Sequence, residues 1–166
     1  MMAALALVAG LTSATAEAAP HVAVLPAELL DMSGAATRNP SPDLQHRLDL
    51  VTAELRKLLA QSGEVEVVDV TPAAARIADE GPVYKCNGCE DDIAKSLGAD
   101  WVATLLVQKT SNLILSFRVK IDDARSGKLV RAGLADIRGD TDDGWVRGVR
   151  WIVKNRLLDP PLPTEP

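Results

Sequence analysis

Residues 82–108 read P-V-Y-K-C-N-G-C-E-D-D-I-A-K-S-L-G-A-D-W-V-A-T-L-L-V-Q, and they hold both cysteines of the chain, one short helix pattern and its best central strand. Residues 92–97 form the helix pattern, closed by Gly98. Residues 100–108 then place Trp101, Ala103, Leu105 and Val107 on one face and Val102, Thr104 and Leu106 on the other. A strand apolar on both sides belongs in the interior of a sheet covered by helices.

Working toward the N-terminus, Thr71-Pro72 opens a short alanine-rich helix that Gly81-Pro82 ends. Before it, the β-branched run Val65, Val67, Val68, Val70 reads as a strand, reached through a turn at Gly63. Ser41, Pro42 and Asp43 are an N-cap candidate, a first-turn proline and an early acid. Leu44, Leu48, Val51, Leu55, Leu58 and Leu59 follow at spacings of three and four, which predicts a long amphipathic helix. His21-Val-Ala-Val-Leu-Pro26 is a first strand stopped by proline, and residues 27–40, with Gly34, Asn39 and Pro40, are expected to form a loop.

Toward the C-terminus, residues 109–112 are a polar turn. Leu113, Leu115, Phe117, Val119 and Ile121 then alternate with Ser116, Arg118 and Lys120, the pattern of a half-exposed antiparallel strand. A hairpin centred on Ser126-Gly127 returns the chain as a last strand, residues 129–138. Asp142 and Asp143 lie in the first turn of a terminal helix whose later turns carry Arg147, Arg150, Lys154 and Arg156, a charge order that complements the helix dipole. The fold class is therefore α/β (α+β), a mixed five-stranded sheet in the order β-α-β-α-α-β-β-β-α with helices packed on it. Residues 20–158 form one domain, and the proline-rich tail 159–166 is expected to be disordered.

Residues 1–19 contain an apolar run followed by the small-residue arrangement Ala16-Glu17-Ala18, the form of a secretory signal peptide, although no Lys or Arg precedes the run. The expected location is the periplasm. Removing Glu17 leaves 18 basic and 22 acidic side chains, a charge of 18 minus 22, or -4. No cysteine follows the signal to carry a lipid, so membrane association without an anchor is as much as this pattern allows.

The chain has one Phe, one Tyr and three Trp at a net charge of -5, which argues against a base-stacking or phosphate-binding nucleic-acid surface. Neither a G-x-S-x-G motif nor a complete phosphate loop occurs, and no cofactor motif is present. His21 and His46 fall on different elements with nothing pairing them, and the acids at 122–123 and 140–143 lack calcium-loop spacing, so no metal is expected.

Cys86-Asn-Gly-Cys89 is the sharpest motif. A C-x-x-C at a helix start can lower a thiol pKa for redox work, but Glu90, Asp91 and Asp92 follow directly and act the other way. In an exported chain the first reading is a structural disulfide, and a thiol-disulfide oxidoreductase is its rival. Glu28 and Asp31 lie just past the first strand, where open α/β sheets bind ligands, which leaves a small-ligand carrier as a further alternative. Lys109, Ser111, Asn112, Arg138, Asp140 and Thr141 gather polar side chains at strand ends, and Arg147, Arg150 and Trp151 share a helix face. Together these nine are the expected contact surface for a protein partner, with caps and turns as the competing explanation.

The segments Q-K-T-S-N-L-I-L at 108–115, D-I-R-G-D-T-D-D-G-W at 136–145 and R-G-V-R at 147–150, with E-L-L-D at 28–31 and C-N-G-C before L-G-A-D at 97–100, resemble a family of secreted bacterial proteins classed as a domain of unknown function. The resemblance spans nearly all of the mature chain and implies compartment and single-domain architecture without chemistry. More distantly, the order of V-A-V-L-P, long helix, strand, L-G-A-D strand and S-G-K hairpin is similar to small α/β domains of envelope proteins. These are the N-terminal domain of the Tol-system propeller protein, the curli secretion-channel subunit and the lipoprotein activators of penicillin-binding proteins. That similarity implies an accessory module of the envelope that binds a protein partner and catalyses nothing.

Overall fold

A computed structural model of the chain describes residues 18–34 and 40–163. Residues 1–17 of the expected signal peptide and the end of the tail, 164–166, lie outside the described residues. The elements run β1 (His21–Val24), β2 (Glu28–Asp31), α1 (Pro42–Ser62), β3 (Glu66–Val68), α2 (Ala74–Glu80), α3 (Cys89–Ser96), β4 (Trp101–Lys109), β5 (Ile114–Asp123), β6 (Leu129–Arg138) and α4 (Asp142–Ile152). Among the described residues no helix is long and apolar enough to cross a membrane.

The sheet order is β3-β1-β4-β5-β6, with β2 also paired to β4. β1 lies parallel between β3 and β4, and β4-β5-β6 is an antiparallel meander. The mixed sheet is the one expected, but it has a sixth strand. Residues 28–31, expected in a loop, pair in parallel with residues 106–109 of β4, on the same side as β1. Val24 lies opposite Ala103 and Glu28 opposite Leu106, so three residues, 25–27, face two on β4. Pro26 therefore interrupts the strand with a one-residue bulge and does not end it. Helix α1 satisfies the backbone at the break. Arg56 donates from Nε and Nη2 to the Val24 carbonyl at 3.1 and 2.8 Å, and the Ala27 N–H donates to Thr52 Oγ1 at 2.9 Å.

Helix α1 starts where expected, with Ser41 Oγ accepting from the Leu44 N–H, and ends at Gly63 in the left-handed conformation. Its stripe of Leu48, Val51, Leu55 and Leu59 packs with α4 on one sheet face, over Trp101, Ala103, Leu105, Val107, Leu115, Phe117, Val119 and Ile121. Phe117 and Trp145 meet edge to face at 5.3 Å between centroids, worth about 0.5–1.5 kcal/mol beyond their burial. Gly133 lets α4 and its wide final turn, residues 153–157, lie close on β6, since a Cβ there would sit 2.5 Å from Ile152 Cγ2.

The opposite face is only half covered. Ile93, Ala94, Val83, Val70 and Ala73 pack over Ala23, Leu25 and Val102, while Thr104, Leu106, Arg118 and Leu134 are partly or fully exposed. β4 is thus buried on both faces over its first half alone. Within the tail, expected to be disordered, the described residues 159–163 pack on the domain: Leu162 is buried in the main core, its N–H donates to Glu64 Oε2 at 2.6 Å, and Arg131 donates to the Pro161 carbonyl. Proline ended the helix there, but an apolar residue between prolines still had a place to pack.

Candidate partner-binding surface

The nine residues expected to form a contact surface fall into two groups. At the sheet end where β4 and β6 meet α1, Asp140 is a half-buried hub. Lys109 Nζ donates to its Oδ2, and Arg47 Nη1 and the Trp145 indole N–H donate to its Oδ1 at 3.0 and 2.9 Å. Arg47 also reaches Asp142 at 2.9 Å. Thr141 caps α4, its Oγ1 accepting from the Gly144 N–H, and Ser111 Oγ accepts from the Leu113 N–H within the turn. Lys109, Asp140, Thr141 and Ser111 therefore hold the fold together at this end. Asn112 and Arg138 remain exposed there.

Glu28 and Asp31 are also occupied. Glu28 accepts from the N–H groups of Val83 and Tyr84 at 2.7 and 3.0 Å, tying β2 to the single helical turn that leads to the cysteines. Burial pushes its carboxyl above the ordinary value and the nearby Glu90 adds to this, while the two amide hydrogen bonds oppose it. Asp31 accepts from the Ser33 N–H, and hydrogen bonding from Ser33 holds it below the ordinary value. An open hollow of about 740 Å³ does lie beside them, next to Lys109 and Leu44, but Glu28, Asp31 and Lys109 are already engaged in structural bonds.

Cys86 and Cys89 are joined as a disulfide. Cys86 Sγ lies 3.2 Å from Glu90 Oε2, an electronegative neighbour that disfavours a thiolate. The bond closes one wall of a cavity of about 250 Å³ that Glu28, Glu90, Arg118 and Lys120 also line. Lys120 is paired with Asp122 at 2.8 Å, and Arg118 makes no ion pair among the described residues.

The second group surrounds a groove of about 590 Å³ between α4 and β6, lined by Leu134, Ile137, Arg138, Arg147, Gly148 and Trp151 among others. Trp151 is 43% exposed and Leu134 49%, large apolar side chains that the fold leaves uncovered. The Arg156 guanidinium lies over the Trp151 ring at 5.1 Å. Arg138 and Arg147 form no ion pair among the described residues, whereas Arg150 is committed to Glu54 of α1 at 2.6 Å. Three of the nine expected residues, Arg138, Arg147 and Trp151, therefore share one surface. Leu134, Ile137 and the close-packing Gly148 were missed. Leu134 breaks the polar alternation of its strand face, which was the available signal.

Residues 20–157 match the family described as Protein of unknown function (DUF2380). The chain belongs to this family. No curated protein matches it in sequence. The fold of this family member is shared by solved structures of low identity. The LpoB C-terminal domain from Salmonella enterica is 16% identical with a TM-score of 0.53, over 74% of this chain and 84% of that one. Lipoprotein GNA1162 from Neisseria meningitidis is 19% identical at 0.53, over 82% and 94%. The PelC dodecamer from Paraburkholderia phytofirmans is 12% identical at 0.51, over 84% and 87%. These likenesses in fold extend over most of each compared chain.

Proposed function

We propose that this protein is a non-enzymatic accessory module of the bacterial cell envelope, exported to the periplasm, that binds a protein partner through the α4–β6 surface. The observation that carries this reading is the groove itself, where Trp151 stands exposed beside Arg147 on the α4 side and the exposed Leu134 and Arg138 of β6 complete the lining. Exposed aromatic and arginine side chains at an apolar groove are the usual energetic centres of protein contacts. At the other hollows Glu28, Asp31, Lys109 and Lys120 are spent on structural bonds, which weighs against catalysis and against ligand carriage. Likeness in fold to a lipoprotein and to the LpoB domain supports the envelope setting. Residues Asn112 and Arg138, exposed at the strand ends, would extend the contact.

The test is site-specific photo-crosslinking in the native host. A photoreactive residue at Arg147 or Trp151 should give one discrete protein adduct, and the same residue at the exposed Ala75 of α2 should give none. Absence of an adduct from both groove positions, or an identical adduct from Ala75, overturns the reading.

A further inference from the structure

We propose that β6 receives an extended segment of the partner protein as an additional strand, and that this segment alternates apolar and acidic side chains. The proposal rests on the partner-binding reading and gives it a geometry. β6 is the last strand of the sheet, with β5 on one side and, among the described residues, no strand on the other. The Gly139 N–H donates to the Leu113 carbonyl at 3.2 Å, and Arg138 lies opposite Ile114 in the register that follows. In an antiparallel ladder bonded pairs alternate, so the odd residues 133, 135 and 137 exchange hydrogen bonds with β5. Ala132, Leu134, Asp136 and Arg138 therefore turn their N–H and C=O groups to the open edge.

Such an edge is normally protected by proline, lysine or a bulge. Residues 132–138 contain neither proline nor lysine, and the register irregularity of the β5–β6 pair lies at the other end, at Ile121/Asp122. Among the described residues the chain's own tail hydrogen-bonds to β6 at Arg131, through the Pro161 carbonyl. What remains open is a regular strand of the length that strand addition uses.

The side chains beside the edge select the occupant. On the α4 side an added strand would lay alternate residues on Ile137, Gly148 and Trp151, an apolar strip. Its other residues would fall beside Leu134 and Arg138. Arg138 and Arg147 have no acidic partner among the described residues, and the one acid on the strand, Asp136, accepts from Ser116 Oγ. A cationic rim on a chain of net charge -5 is complementary to an acidic segment and not to a basic one.

The probe is a synthetic peptide of about eight residues alternating valine and glutamate, a usual strand length, with its valine-lysine counterpart as control. Binding is followed by amide NMR shifts on the disulfide-intact protein. The glutamate peptide should shift the amides of Ala132, Leu134, Asp136 and Arg138 and the Trp151 indole N–H, and the lysine peptide should bind at least about tenfold more weakly. L134P removes an edge N–H without touching the β5 ladder and should weaken the glutamate peptide by about tenfold. Shifts confined to other residues, equal binding of the lysine peptide, a dimer that occupies these amides without peptide, or Trp151 burial by anionic vesicles unaffected by L134P each overturn the proposal. If the groove crosslinks persist in folded L134P, partner binding stands and strand addition fails; if they are absent from the unmodified strand, the reading beneath it fails.

Discussion

Lys109 and Asp140 form an ion pair whose side chains are only 7% and 14% exposed, at the point where the central strand, the last strand and both long helices meet. Two residues that looked like a contact surface in sequence are thus the fastening of the sheet end. Asp140 takes a cation from β4, a cation from α1 and the Trp145 indole of α4, so one carboxylate sets the relative position of four elements. A neighbour such as Arg138, a few residues away, has none of these ties among the described residues, and this contrast divides the strand-end cluster into side chains tied into the fold and side chains left exposed.

Removing Asp140 should therefore cost stability more than binding. D140A leaves Lys109 and the Trp145 indole without their partner in a nearly dry site, and breaking a buried pair from one side costs about 3–5 kcal/mol. K109M removes the buried cation itself and should cost clearly less. Urea unfolding of the two variants checks the order. Equal and small losses would return these residues to the list of surface contacts.

The disulfide should behave as a brace. Closing a loop of this size constrains the unfolded chain by about 2 kcal/mol in the loop-entropy treatment. The double variant C86S/C89S should keep its fold but lose stability of that order, read as a lower urea midpoint. Glu90 Oε2 lies 3.2 Å from Cys86 Sγ, and a carboxylate there opposes a reactive thiolate, so the protein is expected not to accelerate insulin reduction by dithiothreitol. Turnover in that assay would revive the oxidoreductase reading.

How much could be read from the chain follows from which interactions are local. Helix α1 was legible because cap, first-turn proline, apolar stripe and closing glycine all lie within the segment they shape. β2 was not, because residues 28–31 become a strand only when paired with β4, and their backbone break is satisfied by Thr52 and Arg56 more than twenty residues away. Leu162 was missed for the same reason, since prolines describe the local chain and not the pocket it reaches. In the candidate surface, Trp151 was legible as an apolar residue on a charged face, whereas the burial of Lys109 and Asp140 depends on Arg47 and Trp145, which no local pattern connects to them.

The pH dependence of the β5–β6 hairpin has a definite sign. Asp123 accepts from Ser126 Oγ and from the N–H groups of Ser126 and Arg125, and hydrogen bonding from the Ser126 side chain, chiefly, holds its carboxyl below the ordinary value. A lowered carboxyl contributes stability above its unfolded value, and that contribution disappears as pH falls through the folded one. D123N keeps an acceptor oxygen but no charge. The gap between wild type and D123N in urea midpoint should be widest near neutrality and should shrink as pH falls below the ordinary aspartate value of about 3.9. A gap that stays constant with pH would show that the charge contributes nothing to the turn.

The bulge at residues 25–27 offers the most direct test of how β2 is held. Thr52 is 7% exposed, and its hydroxyl accepts from the Ala27 N–H while donating to the Leu48 carbonyl at 2.7 Å, so one side chain completes the hydrogen bonding of strand and helix together. T52V keeps the shape and removes both bonds, which strands the Ala27 N–H and should cost about 1–3 kcal/mol. T52S keeps the hydroxyl and should lose only the buried methyl, about 1 kcal/mol. Amide exchange locates the effect: in T52V the Ala27 N–H and those of residues 28–31 should exchange faster, while the β4–β5 ladder stays protected, because β2 is anchored to β4 on one side only. If T52V and T52S are equally stable and β2 exchanges as before, the bulge is held by Arg56 alone, and the same two measurements on R56M, which frees the Val24 carbonyl, should then show the loss instead.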